Sequence, residues 1–307
     1  MIRLGIDIGG SSVKVAVLED ECSLAQATSD RYANPDAARL SAAIKQALDA
    51  ALSPAGPGVT KGLGVTRSSA APTGLCAPGL FDPATGCITA SANLPSLVGI
   101  NLAALLTAAT AGRCGEPTIV TDAYAAAFDF WSTDLSRAPG RFLALSLGTG
   151  VGACVLDDGV ALRVSGSSPG HIGQVDVTLA EDAAHPPIAP DGGAGGLEAY
   201  IGLRALQAQL GENVAAGLAA LSADAKPIRA LVRALRISHA LYRPQTIALL
   251  GGVGTRLGHL VGPIQSQVST QLTSVARPGW QLRCGTSDFH AARGAALLAK
   301  TALAKTT

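Results

Sequence analysis

Aromatic residues and net charge are both scarce in this sequence. Phe, Trp and Tyr make up 4% of the 307 residues, and the formal net charge is +1. Few aromatic rings leave few surfaces on which bases could stack, and a near-zero charge produces no strong field toward nucleic acid or an anionic membrane. We therefore expect neither a nucleic-acid partner nor a membrane partner.

Long hydrophobic runs, targeting signals and paired cysteines are also missing. No apolar run reaches the length of about 18 residues that a membrane span needs. The N-terminus MIRLGIDIGG has none of the features of a secretory signal peptide. The six cysteines are scattered without a C-x-x-C pair, which is typical of reduced thiols. These absences predict a cytoplasmic protein with structural cysteines.

Two well-known nucleotide-binding loops are absent from the sequence. There is no G-x-x-x-x-G-K-[ST] segment, which excludes a P-loop protein. No strand leads into a G-x-G-x-x-G turn that opens a helix, so a dinucleotide-binding Rossmann domain is weakly supported.

Two segments instead share a pattern of strand, glycine turn and strand. They are LGIDIGGSSVKVAVL at 4–18 and FLALSLGTGVGACVL at 142–156. Glycine lets backbone N–H groups approach an anion closely, and Ser or Thr hydroxyls add donors. One such turn alone is more often a tight hairpin. Two of them, followed by a strand and GGVG at 251–254, favour phosphate binding.

The rest of the chain is predicted to alternate helices with strands. A length of 307 residues favours about two domains. Asn101 is a predicted helix N-cap, and 246–250 is a predicted strand. Apolar residues at helical spacing predict helices at 37–52, 197–211, 213–242 and about 289–305.

In chain order, the motifs resemble the ROK family (repressor, open reading frame, kinase) of sugar kinases. They are LGIDIGGSSVKVAVL, APGLFD, ANLP, TDAYAAAF, LSLGTGVGACV, GHIGQVDV, GLEAYIG, LLGGVG and ARGAALLA. The resemblance implies a two-domain α/β fold of the actin/hexokinase type, related to ribonuclease H, with mixed sheets flanked by helices and a cleft between the domains. It implies an N-terminal domain of residues 1–121 plus about 290–307, and a C-terminal domain of 122–289.

The resemblance also implies an ATP- and Mg²⁺-dependent kinase that phosphorylates a sugar hydroxyl. The expected ligand is a small-molecule sugar, and analogy with related kinases suggests a homodimer. Asp7 would hold Mg²⁺ through water or phosphate. The positions that match phosphate- and adenosine-binding elements are Asp7, Gly9, Gly10, Ser11, Ser12, Lys14, Gly148, Thr149, Gly150, Gly251, Gly252 and Gly254.

Asp122 matches the catalytic base of the family. It stands where a strand is predicted to pass into a helix, and a carboxylate held there could accept the proton of an attacking hydroxyl. Taken alone, an aspartate at this place is more often a helix N-cap. The positions expected to contact the sugar are Gly79, Asn93, Thr121, Asp122, His171, Gln174 and Glu198.

The sequence departs from the family pattern at its zinc motif and near the sugar. The zinc cysteines are missing from PDGGAGGLE at 190–198, and Gln174 replaces the zinc histidine, so we expect no zinc. His171 stands where the family has a glutamate that touches sugar hydroxyls, and Thr121 stands where it has an asparagine. Because an imidazole can donate as well as accept, we expect a different pattern of preferred hydroxyls.

Two alternatives remain open at this point. One is a non-catalytic sugar- or nucleotide-binding regulator of the same fold. The repressor branch of the family carries a helix-turn-helix before its kinase-like region, whereas here the phosphate-loop pattern begins at residue 4, so we expect no such element. The other is a transferase of the same superfamily that acts on a non-sugar acceptor such as a carboxylate.

Overall fold

A computed structural model describes residues 1–53, 70–82, 84–91, 94–163, 171–190 and 192–300. The strands are β1 (Ile2–Ile8), β2 (Val13–Glu19), β3 (Cys22–Thr28), β4 (Ala71–Ala77), β5 (Leu80–Phe81), β6 (Ile88–Ala90), β7 (Cys114–Thr121), β8 (Arg141–Leu147), β9 (Val151–Asp157), β10 (Val160–Ala161), β11 (Thr246–Leu250) and β12 (Gln281–Cys284). The α-helices are α1 (Ala37–Leu52), α2 (Leu102–Thr110), α3 (Asp122–Thr133), α4 (Glu198–Ile201), α5 (Leu203–Leu210), α6 (Val214–Ala219), α7 (Lys226–Tyr242), α8 (Gly251–Gly254), α9 (Val261–Gln271) and α10 (His290–Leu298).

The chain divides into two compact units. Unit 1 comprises Met1–Asp129 and the chain from Phe289 onward, and unit 2 comprises Phe130–Asp288. The division falls inside α3, later than the boundary expected after residue 121. In the described part of the chain, no helix combines the length and the apolar character needed to cross a membrane.

Unit 1 is built on a five-stranded mixed sheet in the order β3-β2-β1-β4-β7. The first three strands form antiparallel pairs, whereas β1, β4 and β7 run parallel to one another. The apolar faces of α1 and α2 pack in one core with this sheet, and Leu40, Ile44 and Leu48 of α1 are fully buried. Parallel strands end at the same edge, which places the chain segments after β1, β4 and β7 side by side.

Unit 2 repeats this architecture. Its sheet has the order β10-β9-β8-β11-β12, with antiparallel pairs on one side and β8, β11 and β12 parallel. The core beneath it includes residues of α7 and α9, which pack together. The short internal repeat in the sequence therefore extends to the whole sheet. The predicted α/β fold with mixed sheets and flanking helices is confirmed.

Helix α10 lies directly against the sheet of unit 1. A Cβ atom added to Gly5 or Gly74 would lie 1.8 Å from a backbone oxygen of α10, and one added to Gly294 would lie 1.7 Å from the Ala125 oxygen in α3. Such distances are far inside van der Waals contact. Glycine at these three positions therefore allows the backbones to approach to a separation that no side chain would permit.

Three predicted helices differ from the structure. The helix predicted at 197–211 is broken at Gly202, whose N–H donates to the Glu198 oxygen to end α4 and whose backbone then becomes extended. The helix predicted at 213–242 is two helices, α6 and α7. Pro227 lies in the first turn of α7, the place in a helix that tolerates its missing N–H. The final helix ends at Leu298 rather than near 305, and residues 301–307 lie outside the described range.

Candidate functional site

The first glycine turn joins β1 to β2 in unit 1. The Gly9 N–H donates to the Ser12 oxygen at 3.0 Å, which closes the turn. The backbone N–H groups of Gly10, Ser11 and Ser12 have no hydrogen-bond partner within the described ranges. Together with two serine hydroxyls, these N–H groups form a donor set that fits phosphate oxygens.

Tyr32 braces this turn and was not identified from the sequence. Its hydroxyl donates to the Gly9 oxygen at 2.6 Å, and its N–H donates to the Ser11 oxygen at 2.9 Å. Burial, with a smaller contribution from Asp7, raises the pKa of Tyr32, so the hydroxyl stays a donor. Nothing in the sequence around Tyr32 signals this role, because the contact spans 23 residues.

Asp7 lies in β1, between Lys14 of β2 and Cys76 of β4. Its side chain is buried, and the Cys76 thiol donates to Asp7 Oδ1 at 3.6 Å. Burial raises the pKa of Asp7 to about 6, the Lys14 charge opposes this rise, and the Asp122 charge adds to it. The carboxylate is therefore ionised at neutral pH and fits Mg²⁺, which prefers hard oxygen ligands.

Asp7→Asn is expected to stabilise the protein at neutral pH. The pKa of Asp7 is raised from 3.8 to about 6, so the folded state holds this proton more tightly than the unfolded state. Stability is consequently lost as the pH rises through this interval, by about 3 kcal/mol in total. At pH 7.5 the variant should have a free energy of unfolding higher by up to about 3 kcal/mol, and below pH 4 the difference should vanish.

A matched control for this measurement is Asp82→Asn. The Ala84 N–H and the Thr85 hydroxyl bind the Asp82 carboxylate, both at 2.9 Å, and lower its pKa. This substitution should therefore destabilise the protein at pH 7.5. If denaturant unfolding at pH 7.5 showed Asp7→Asn to be less stable than the wild type, this would contradict a raised pKa of Asp7 in the folded state.

Asp122 begins α3 directly after β7. The Thr121 hydroxyl accepts from the Tyr124 N–H at 3.3 Å and caps the helix, and Asp122 Oδ1 accepts from the Ala123 N–H at 2.8 Å. Burial raises the pKa of Asp122 and outweighs the backbone hydrogen bonds, which lower it. Because Thr121 already satisfies the N3 donor, capping does not by itself account for the carboxylate of Asp122.

Asp7 and Asp122 lie at the same edge of the sheet of unit 1. Cys76 pairs with Asp7 on one side and with Val120 on the other. Strands lie about 4.8 Å apart, so β1 and β7 are separated by about 10 Å. At this edge, next to the glycine turn, one acidic side chain can hold a metal ion that binds phosphate. The other can accept the proton of a hydroxyl.

Gly79 lies in the loop that follows β4 at this edge. Its φ angle is +112°, and a Cβ atom there would lie 2.4 Å from the Ala90 oxygen, so this turn requires glycine. The Ser91 hydroxyl donates to the Pro78 oxygen at 3.2 Å and holds the neighbouring segment in place. Asn93, expected to contact the sugar, lies outside the described residues.

The second glycine turn joins β8 to β9 in unit 2. The Gly148 N–H donates to the Gly150 oxygen, and the Leu203 N–H at the start of α5 donates to the Gly148 oxygen, both at 3.0 Å. Within the described part of unit 2, the N–H groups of Thr149 and Gly150 have no hydrogen-bond partner. This turn therefore also presents backbone donors and a hydroxyl that fit phosphate.

The glycine segment of α8 follows β11, which is paired with β8. Gly251 has a φ angle of +79°, and a Cβ atom on it would lie 2.5 Å from the Leu147 oxygen, so α8 begins against the end of β8. The Arg256 guanidinium donates to the Gly252 oxygen, and the Cys284 thiol donates to the Gly254 oxygen at 2.9 Å. Because Gly251 lies against Leu147, the second and third glycine segments are neighbours.

Glu198 lies beside the second glycine turn. Its Oε2 accepts from the Val151 N–H at 2.9 Å, and a Cβ atom on Gly173 would lie 3.4 Å from that oxygen. Gly173 belongs to a short 3₁₀ turn between His171 and Gln174, both of which are exposed. Unit 2 therefore brings Glu198 and the turn that carries His171 and Gln174 to the start of β9.

Zinc-binding chemistry is sparse in the described ranges. There, no group of three or more His, Cys, Asp and Glu residues is placed to hold a metal ion. His185 is exposed, and Asp191 lies outside the described residues.

Each of the two units has a five-stranded mixed sheet of the same order and a glycine turn after its first strand. This architecture defines the class of proteins with the actin/hexokinase-like α/β fold. The sequence matches the ROK family over residues 3–302. The chain belongs to the ROK family. No curated protein matches it in sequence.

Similar solved structures span nearly the whole chain. A ROK family glucokinase from Streptomyces griseus, solved with glucose and AMPPNP, has a TM-score of 0.72 and 18% identity over 97% of this chain and 99% of its own. The ROK hexokinase from Thermus thermophilus has a TM-score of 0.63 and 22% identity over 97% of this chain and 98% of its own. A ROK family transcriptional regulator, a homologue of E. coli MLC protein, has a TM-score of 0.70 and 16% identity over 97% of this chain and 78% of its own. At such identities the likeness establishes the fold.

Proposed function

We propose that this protein is an ATP- and Mg²⁺-dependent sugar kinase with Asp122 as its general base. The observation that carries the proposal is the placement of Asp122 at the carboxyl edge of the parallel strands, where Asp7 and the first glycine turn also lie. Family membership supports it, as does the likeness to a glucokinase solved with glucose and a nucleotide analogue.

In this reaction the sugar hydroxyl oxygen attacks the γ-phosphorus of ATP. The hydroxyl proton passes to Asp122, and the bond to the β–γ bridging oxygen breaks so that ADP leaves with its electron pair. Burial raises the pKa of Asp122, which makes it a better proton acceptor than an ordinary aspartate. Mg²⁺, when bound, neutralises phosphate charge. Asp7 is the side chain proposed to hold it.

The glycine turns supply the donors for phosphate. In unit 1 these are the N–H groups of Gly10, Ser11 and Ser12 and the two serine hydroxyls, in the turn that the Gly9 N–H closes, and Lys14 follows in β2. In unit 2 they are the N–H groups of Thr149 and Gly150, in the turn that the Gly148 N–H closes, and Gly251, Gly252 and Gly254 are proposed to meet the adenosine. Backbone donors that are already oriented stabilise transferred charge without reorganisation during the reaction.

The sugar is proposed to contact Gly79, Asn93, Thr121, His171, Gln174 and Glu198. The Glu198 carboxylate is oriented by its bond to the Val151 N–H, so its direction is set before any ligand arrives. His171 and Gln174 are exposed side chains on the adjacent turn. An imidazole and an amide there add hydrogen-bond donors that a glutamate lacks.

A panel of sugars tests the proposed activity. Thermal shift with and without a non-hydrolysable ATP analogue should identify a sugar that raises the melting temperature, since a ligand of the native state stabilises it. An ADP-coupled assay on that sugar, with Mg²⁺ present and then removed by chelation, should show metal-dependent turnover. A complete lack of turnover on all sugars would overturn the proposal.

A sugar-sensing regulator is the second candidate. The likeness to a ROK transcriptional regulator is about as strong as that to the glucokinase, and His171 replaces the acid expected at its position. Calorimetry separates the two functions. Binding of a sugar without binding of ATP would favour the regulator, and binding of both with turnover would favour the kinase.

His171→Ala is expected to lower kcat/KM for the accepted sugar by roughly tenfold, the cost of one lost hydrogen bond to a substrate hydroxyl. His185→Ala is the matched control, because His185 is also an exposed histidine of unit 2. Steady-state kinetics should show a loss for the first variant alone. If His171→Ala and His185→Ala had the same kcat/KM, His171 would not be part of the sugar site.

We also propose a cytoplasmic homodimer. Six free cysteines are consistent with a reducing compartment. Sedimentation equilibrium of the purified protein tests the oligomeric state, and a concentration-independent monomer would contradict it.

A further inference from the structure

Helix α7 carries four cationic side chains at intervals of three and four residues. This spacing places them along one face of the helix. They are Lys226, Arg229, Arg233 and Arg236.

The first two of these cations are neutralised by neighbouring carboxylates. Lys226 Nζ lies 2.6 Å from Asp182 Oδ1, and the Arg229 guanidinium pairs with Glu181. Both acids belong to the segment that follows the 3₁₀ turn containing Gln174. The N-terminal half of the cationic face is therefore an ordinary set of ion pairs.

The other two cations differ from this pattern. Arg233 Nη1 donates to the Thr178 carbonyl at 3.0 Å, and its charge makes a minor contribution to the lowered pKa of Asp176. Arg236 forms no hydrogen bond or ion pair within the described ranges of the chain. The C-terminal half of the face therefore presents two exposed guanidinium groups that are not held in carboxylate pairs.

A cavity of about 490 Å³ that is open to solvent lies at these arginines, between α7 and α9 of unit 2. Gln267 and Gln271 of α9 line it opposite the arginines, and Leu179 is part of its wall. Asp224 also lines it, but the Gln267 amide reaches that carboxylate at 3.5 Å and the Ala223 oxygen at 3.3 Å. None of these residues has a role in the proposed phosphoryl transfer.

We propose that this cavity is a second binding site, for a small phosphorylated molecule. A guanidinium presents a planar fork of donors that matches two phosphate oxygens, and Arg233 and Arg236 lie one helical turn apart. The Gln271 amide can donate to a hydroxyl or an ester oxygen. The volume lies within the range of roughly 300–1,000 Å³ that small-molecule sites occupy, which leaves room for an organic group beside the phosphate.

Calorimetric titration at low ionic strength tests the proposal with three phosphorylated probes and one uncharged reference. Inorganic phosphate and pyrophosphate represent the inorganic anions, glucose 6-phosphate represents a phosphate ester, and glucose is the uncharged reference. We expect saturable binding of the ester, weaker binding of inorganic phosphate, and a decline with added salt because the arginines are exposed. The absence of saturable binding by every phosphorylated probe would overturn the proposal.

The double variant Arg233→Gln/Arg236→Gln should bind the ester at least about tenfold more weakly. The control is Arg243→Gln/Arg283→Gln, which removes the same charge from two exposed arginines of unit 2 outside the cavity. It should bind within about twofold of the wild type. Unchanged binding by the first double variant, or equal loss by the control, would contradict a specific site. The experiment measures binding and not turnover, so its result does not depend on whether the protein is a kinase.

Discussion

Replacing Asp122 with Asn is expected to lower kcat by a factor of roughly 10² to 10⁴, the usual contribution of a general base. The amide keeps the size and the hydrogen bond to the Ala123 N–H, at 2.8 Å in the native protein. It loses the ability to accept the hydroxyl proton. Because Thr121 caps α3, the helix itself should not depend on the carboxylate.

The measurement is steady-state kinetics together with calorimetric binding of the sugar. Sugar affinity should change by only a few-fold, since the amide still offers hydrogen bonds, whereas kcat should fall steeply. Asp134→Asn is the control, because Asp134 is an exposed aspartate directly after the same helix. Unaffected turnover in the Asp122 variant would remove this residue from the chemistry.

The wild-type pH profile gives a second expectation for Asp122. Burial raises the pKa of this carboxyl, and the base works in its ionised form. Turnover should therefore rise with pH through that raised pKa on the acidic side of the profile.

Gly294→Ala is expected to destabilise unit 1 by about 3 kcal/mol, or about 10 °C in melting temperature. The added Cβ would lie 1.7 Å from the Ala125 backbone oxygen and 2.5 Å from its carbonyl carbon. A backbone atom cannot rotate away as the end of a side chain can. Helix α10 would have to move away from α3 and lose packing around Ala295, which is fully buried.

Gly262→Ala in α9 is the matched control for this substitution. Nothing lies within 4 Å of a Cβ atom placed on Gly262, so the added methyl group meets open space. Alanine also favours the helix relative to glycine, by about 0.5–1 kcal/mol. Thermal unfolding should show a large loss for the first variant and no loss for the second. Equal melting temperatures would contradict the close approach of α10.

Local sequence signals predicted the elements that depend on local interactions. The apolar spacing of 37–52 predicted α1 with its observed bounds, and Asn101 caps α2 by accepting from the Ala104 N–H at 2.8 Å. The strand–turn–strand units at 4–18 and 142–156 are confirmed as hairpins. The partners are a few residues apart in the helices, and in the hairpins they belong to consecutive strands, as in the pairs Ile2 with Glu19 and Arg141 with Asp157.

The sequence pattern did not reveal the edge strands β3 and β12 or the breaks in the long helices. β3 and β12 lie at the edges of their sheets and bury few side chains, so their sequences lack the apolar alternation of a half-buried strand. Gly202 could have signalled the break between α4 and α5, and Pro227 the start of α7. The period of the apolar residues continues across both breaks and conceals them.

The sequence by itself determined the family, the order of the glycine turns and the identity of the acidic residues. These follow from motifs whose residues are contiguous in the chain. Only the tertiary structure placed Tyr32 against the first turn, the Cys76 thiol on Asp7, and the backbone of α10 against Gly5 and Gly74. Such contacts join residues far apart in sequence, and burial in the folded sheet is what raises the pKa of Asp7 and Asp122.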